Sequence, residues 1–233
     1  MKRFFHAELQ EFRSNLVLMG ERAVEIVRLA VRAMEEKDFA LCDEVLALDD
    51  ALDQLEVLID NEGIRYISLR APVASDLRLV TVGMRFGQDL ERVGDEACTV
   101  AKRVRSILNT GHPCDFSPII AMGEKVVAML REAVDCFLNE SPDPAKEIPV
   151  RDGEIDRIHR RHYERFSHAC SEQPGEASDF LDLVFISKSL ERIGDHASNL
   201  AEEVVFLYRG EDLRHSPELK ERKRHLKQGE DPA

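Results

Sequence analysis

Residues 190–199 read LERIGDHASN, and residues 90–97 read LERVGDEA, so one motif occurs twice, one hundred positions apart. On a helix, carboxylates four residues apart share a face, where two like charges cost about 0.2–0.5 kcal/mol. Each copy also carries a glycine, which costs a helix about 1 kcal/mol relative to alanine. Because both unfavourable features occur in both copies, we predict that these carboxylates bind a ligand, and a cation is the obvious one. The two pairs are Glu91 with Asp95, and Glu191 with Asp195.

The rest of the chain is organised symmetrically about a break at Gly111–Pro118, where glycine and proline interrupt the helical pattern. Apolar residues recur at helical spacing in three stretches before this break and in three after it. The repeat predicts an all-α fold of two tandem three-helix bundles. We expect residues 1–110 to form the first bundle, 111–117 the linker, 118–210 the second bundle and 211–233 a charged, disordered tail. The predicted helices span about 2–36, 38–71, 74–109, 118–139, 145–171 and 177–208.

Composition narrows the classes of partner. The formal net charge of −13 disfavours nucleic acid, whose phosphates reward lysine and arginine, and fits cations or basic protein surfaces. Five widely spaced cysteines without a C-x-x-C pair indicate the reduced cytoplasm. Glu8 and Glu11 interrupt the start of the chain before an apolar run forms, so we expect no signal peptide. No stretch approaches the ~18–20 apolar residues of a membrane span, so we expect no membrane insertion.

A second pair of acidic residues precedes each motif, and its position suggests a shared site. The preceding pairs are Asp49 with Asp53, and Asp152 with Asp156. If the chain reverses at Pro72 in the first repeat and at Gln173–Pro174 in the second, two neighbouring antiparallel helices in each repeat place their acidic pairs side by side, at the same height along the helix axes. Carboxylate oxygens at such a level suit hard cations such as Mg, Mn, Ca or ferric iron, and shared carboxylates can bridge more than one ion. The alternative for any single pair is a solvated acidic face. The candidate metal ligands are Asp49, Asp53, Glu91, Asp95, Asp152, Asp156, Glu191 and Asp195, with Asn199 and Glu202 extending the second stripe.

The duplicated motif, with residues 196–204 (HASNLAEEV) and 70–78 (RAPVASDLR), resembles the PhoU family of phosphate-uptake regulators from about Phe4 to Tyr208. The resemblance implies two three-helix bundles whose acidic motifs hold metal ions, including multinuclear clusters. Iron is the metal that the family favours, with manganese, zinc or magnesium as alternatives. It also implies a cytoplasmic homodimer that represses the phosphate regulon by bridging a phosphate ABC transporter, through its ATPase, and a sensor histidine kinase. The first copy departs from the family pattern at Glu96 and Thr99.

Other functions remain open on the residues alone. The chain has no glycine-rich phosphate loop, no Ser/His/Asp order and no cysteine-nucleophile signature, so we predict no catalytic residues and no organic cofactor. The Glu-x-x-His pair typical of ferritin-like enzymes is approached once, at Asp156–His159, which leaves a carboxylate-bridged oxidoreductase as one alternative. The other alternative is a metal-independent helical adaptor whose carboxylates meet a basic partner. The basic run Lys220–His225 is interpreted as part of an uninformative tail.

Overall fold

The computed structural model describes residues 2–214 and 216–228, and within these ranges the chain is helical and contains no strand. The predicted all-α class is therefore confirmed. A 3₁₀ turn, Pro174–Glu176, precedes the seventh α-helix. The α-helices are α1 Lys2–Glu36, α2 Phe39–Arg70, α3 Ala74–Thr110, α4 Ser117–Leu138, α5 Pro142–Ala145, α6 Ile148–Glu172, α7 Ala177–Arg209 and α8 Pro217–Gln228.

The long helices form the two predicted three-helix bundles, and these bundles share one hydrophobic core. Helices α1, α2 and α3 pack together, as do α4, α6 and α7, and the α3–α7 and α1–α4 contacts join the two sets. Phe86 of α3 stacks on Phe137 of α4 with 4.7 Å between ring centroids. Both rings are fully buried, so the hydrophobic core continues across the boundary between the repeats.

Local chemistry fixes the hairpin that carries the first acidic face. The Asp38 carboxylate accepts a hydrogen bond from Ala40 N and caps α2. Helix α2 ends at Arg70, and the next residue, Ala71, adopts a left-handed conformation with φ of 45°. Pro72 cannot continue the helix, and α3 begins two residues later. The chain therefore reverses at the predicted position, and the equivalent reversal between α6 and α7 lies at Gln173 and the 3₁₀ turn.

Two predictions about helices are wrong. The helix expected over 145–171 is α6, but it begins three residues later than predicted, at Ile148, and its first turn accommodates Pro149. The short α5 and a break at Lys146–Glu147 precede it. The tail over 217–228 is the helix α8, packed against α6, and is not disordered. We expected disorder because this segment has few apolar residues, but ion pairs hold it, among them Arg222 with Glu147 at 2.7 Å. The tail residues 215 and 229–233 lie outside the described residues.

Among the described residues, no helix is both long enough and apolar enough to cross a membrane.

Candidate metal-binding faces

The first acidic face lies on the α2–α3 hairpin, where the helices approach closely beside Gly94. A Cβ placed on Gly94 would lie 2.8 Å from Asp49 Oδ1 and 2.8 Å from Leu52 Cδ1, so a side chain at this position would collide with α2. The glycine of the motif therefore has a packing role that offsets its cost in helix propensity. It allows the acidic pair on α2 to lie beside the pair on α3.

The four predicted carboxylates of this first face influence one another. Burial raises the pKa of Asp49, and the nearby carboxylates of Asp53 and Asp95 raise it further. Burial also raises the pKa of Glu91, with Asp95 and Glu56 adding to the effect. These shifts have the direction expected for carboxylates that are partly buried and held close to one another. The structure thus brings the four predicted residues together and adds Glu56, which we did not predict.

One basic side chain reaches into the first face. Arg92 pairs with Glu91 at 3.3 Å and with Asp95 at 3.1 Å, and its side chain is 55% exposed. Exposed ion pairs of this kind contribute about 0–1 kcal/mol, so they present a small barrier to a competing cation. Asp53 and Asp95 are themselves exposed, and solvent can reach this face.

The second acidic face repeats this arrangement on α6 and α7, but it lies deeper. A Cβ on Gly194 would lie 3.0 Å from Asp152 Oδ1, the counterpart of the contact in the first repeat. Asp152 is fully buried, and burial raises its pKa to about 7. Burial likewise raises the pKa of Glu191. The hairpin again brings together all four predicted carboxylates, of which Asp152, Asp156 and Glu191 are largely covered and Asp195 is half-exposed.

Lysine side chains cover the second face. Lys223 of α8 forms an ion pair with Asp152, and its Nζ lies 3.8 Å from Asp195 Oδ1. Lys227, one helical turn further along α8, forms an ion pair with Asp156. Glu191 is paired with Lys188 of its own helix. The ammonium groups of the chain therefore neutralise the second face in this structure.

Asn199 and Glu202, the two outlying candidates, face different neighbours. Asn199 Nδ2 donates a hydrogen bond to Asp89 Oδ1 at 3.2 Å, and His196 Nδ1 lies 2.8 Å from the same oxygen. These contacts link α7 to α3. Glu202 is half-buried; burial raises its pKa, while Lys223 and Arg214 oppose the rise.

The donor chemistry of the faces fits a hard cation, but the side chains do not converge on one point. Within 2–214 and 216–228, no three His, Cys, Asp or Glu side chains form a group that could hold a metal ion. In the second face the lysines of α8 occupy the space, although Asp152 Oδ1 has no hydrogen-bond donor among the described residues. His159, considered as an additional nitrogen ligand, has its Nδ1 3.0 Å from Ser187 Oγ. The metal assignment stays a prediction.

Sequence reasoning missed the residues that cover the second face. A signal was present, because Lys223 and Lys227 have the same spacing of four as Asp152 and Asp156. Gly153, where the backbone of α8 comes close to α6, was also missed. The pattern of apolar residues does not indicate the position of α8.

The comparisons with known proteins agree with the two-repeat helical fold. A family model described as the PhoU domain matches residues 16–104 and 119–204. The chain is 38% identical over 212 residues to the phosphate-specific transport system accessory protein PhoU homolog of Pseudomonas aeruginosa, covering 91% of this chain and 88% of that protein. A crystal structure of PhoU from P. aeruginosa, 37% identical, superimposes with a TM-score of 0.86 over 89% of this chain and 100% of that one. A crystal structure of the phosphate transport system regulatory protein PhoU from Streptococcus pneumoniae is 26% identical. It superimposes with a TM-score of 0.82 over 90% of this chain and 99% of that one.

Proposed function

The chain belongs to the PhoU family, and on that basis we propose that it is a cytoplasmic, non-enzymatic negative regulator of phosphate uptake. The observation that carries the proposal is the match of the family domain to both repeats, together with similarity over nine-tenths of the chain to a phosphate-transport accessory protein. In this proposal the protein bridges a phosphate-transporter ATPase and a sensor histidine kinase, and it acts as a homodimer. When phosphate is abundant, the bridged kinase keeps the phosphate regulon repressed.

Exposed apolar side chains near the turn of the first hairpin support a role in protein docking. Ile64, Leu69 and Val73 are 55%, 65% and 76% exposed, although they are large hydrophobic residues. On the second hairpin, Leu181 and Phe185 are about half exposed. Contiguous apolar patches on a charged surface are typical of sites that bind other proteins, and in this proposal these exposed side chains contribute to such a patch.

In the proposed mechanism the first face holds the metal. Asp49, Asp53, Glu91 and Asp95 would supply oxygen ligands, and Glu56 lies near enough to influence Glu91. A bound cation would supply the positive charge that these mutually repelling carboxylates lack. Iron is the first candidate from the family, followed by manganese, zinc and magnesium.

The regulatory role predicts a phenotype in the native host. Deleting the gene should raise expression of phosphate-starvation genes in phosphate-rich medium, because the kinase would lose its repressing contact. Complementation with the wild-type gene should restore repression, whereas Ile64→Asp/Val73→Asp should not, since it places charge on the proposed docking surface without touching the core. Transcript levels of the regulon report the result. Repressed expression in the deletion strain would contradict the proposal.

The metal role predicts a specific loss on substitution. Protein purified without chelator should contain at least about one equivalent of iron, manganese or zinc, and Asp53→Asn/Asp95→Asn should lose most of it because both exposed ligands lose their charge. A matched control, Glu21→Gln/Glu35→Gln, removes two exposed charges from α1 and should keep the metal. Mass spectrometry of purified protein measures both.

A metal-independent adaptor is the second candidate function. It is favoured by the observation that basic side chains from α8 neutralise the second acidic face, so such faces accept a basic helix. If the wild type binds no metal after reconstitution, the first face would be assigned to a basic partner, and binding should then weaken with salt and ignore chelators.

A further inference from the structure

Helix α8 carries a charge opposite to that of the rest of the chain. Over Pro217–Gln228 it has five lysines and arginines and two glutamates, in a protein with a net charge of −13. It packs against α6, which carries half of the second acidic face. The attraction between the two is therefore strong enough to position a segment that buries few apolar side chains.

The basic side chains of α8 match the acidic side chains of α6 in spacing. Lys223 meets Asp152, and Lys227 meets Asp156, so a pair of lysines four residues apart lies over a pair of aspartates four residues apart. Arg222 extends the contact by binding Glu147. The match along more than one turn of both helices indicates a specific docked position for α8.

Gly153 provides the space that α8 needs. A Cβ at this position would lie 2.6 Å from the carbonyl oxygen of Lys223 and 3.2 Å from Leu226 Cβ. In a helix interior glycine costs about 1 kcal/mol relative to alanine, and the close approach of the α8 backbone offsets that cost. The residue after Asp49, at the same place in the first repeat, is Asp50, whose side chain is exposed. The first face therefore lacks the gap that admits a helix backbone.

Charge rather than apolar burial holds α8 in place. Its two leucines, Leu219 and Leu226, are only half-buried. Removing one partner from a buried ion pair leaves an uncompensated charge, so Asp152 needs a cation wherever it is ionised. A divalent ion can meet that need as well as Lys223 does, but the two cannot occupy the same space.

We propose that α8 blocks the second acidic face, so that docking of α8 and binding of a divalent cation exclude each other. The cation would be bound by Asp152, Asp156, Glu191 and Asp195. Cation binding releases the basic helix, and α8 docking expels the cation. The inference rests on the metal-binding part of the proposed function and assigns a different state to each repeat: the first face is open to solvent, and the second is closed by the chain itself.

The test measures Mn²⁺ binding by calorimetry in full-length protein that carries Asp53→Asn/Asp95→Asn, which leaves the second face as the site. Gly153→Ala blocks docking of α8 without changing any charge and should tighten Mn²⁺ binding about tenfold. This is the effect expected if the docked state of α8 is about ten times as populated as the undocked state. Gly175→Ala is its control, because a Cβ there meets nothing within 4 Å. Lys223→Gln/Lys227→Gln should also tighten binding, and more than Lys220→Gln/Arg224→Gln, which removes the same charge from exposed positions of α8.

Hydrogen exchange of residues 217–228 gives an independent readout. Adding Mn²⁺ should accelerate amide exchange in α8 of this background, and Gly153→Ala should show fast exchange without metal, while Gly175→Ala should not. Equal Mn²⁺ affinity in Gly153→Ala and Gly175→Ala would overturn the inference, as would unchanged exchange at saturating Mn²⁺. If protein with an intact first face binds Mn²⁺ and Gly153→Ala gains none, the inference alone fails. If no variant binds Mn²⁺, the metal part of the proposed function fails with it.

Discussion

Replacing Phe86 with alanine should lower the free energy of unfolding by about 3–5 kcal/mol, the range for removing a large aromatic side chain from a packed core. Phe86 is fully buried and stacks on Phe137, so the substitution leaves a cavity where α3 of the first repeat meets α4 of the second. In a chain of this size, such a loss corresponds to a fall in Tm of roughly 10 °C. Calorimetry and urea unfolding both measure it.

The position of Phe86 makes a further result expected. Because the two repeats share one core, the variant should still unfold in a single transition that is shifted to lower stability. Phe185→Ala is a matched control, since that ring is 48% exposed on α7 and should change stability by less than about 1 kcal/mol. Two separate transitions in the variant, or a loss equal to that of Phe185→Ala, would show that the repeats are not coupled through this contact.

The sequence predicts those parts of the fold that local chemistry determines. Pro72 reverses the chain where expected, and Asp38 caps α2, because proline geometry and side-chain capping act within a few residues. Once the turn is placed at Pro72, counting residues along the two helices predicts that the four carboxylates of the first face lie at the same height. The glycine of each motif lies against the neighbouring helix, as close packing requires. These features follow from short-range rules that the amino-acid sequence displays directly.

Long-range charge pairing could not be predicted in the same way. Arg192 pairs with Glu96 across the repeats at 2.9 Å, and Lys223 reaches Asp152, but the sequence holds many lysines and arginines that could serve either carboxylate. Choosing the correct pair requires the path of the chain after Gly210, which no apolar stripe reveals. The break before α6 was expected, but the start of α6 was predicted three residues too early, at about Ala145, because Pro149 is compatible with the first turn of a helix and does not mark its first residue.

The second large effect that we expect is acid destabilisation through His162. Its side chain is buried, and its Nδ1 lies 3.0 Å from Ser187 Oγ. Burial, followed by the nearby charge of His159, lowers the pKa of His162 from 6.5 to about 4. Since the folded-state pKa lies below that of the unfolded chain, the unfolded state binds more protons between pH 6.5 and about 4. The free energy of unfolding should therefore fall as the pH falls through this window, by about 3 kcal/mol from this residue.

Buried carboxylates act in the opposite direction and must be separated from this effect. Burial raises the pKa of Asp152, Glu191 and Glu203, so these groups favour the folded state as the pH falls. The difference between wild type and His162→Gln cancels them, because the variant keeps every carboxylate and removes the titrating ring. Urea unfolding between pH 7 and 4.5 should show a smaller acid loss in His162→Gln. His168→Gln, at a site where the side chain is 74% exposed, should keep the wild-type profile. Parallel profiles for wild type and His162→Gln would mean that His162 has the same pKa in the folded and unfolded protein, and they would contradict the prediction.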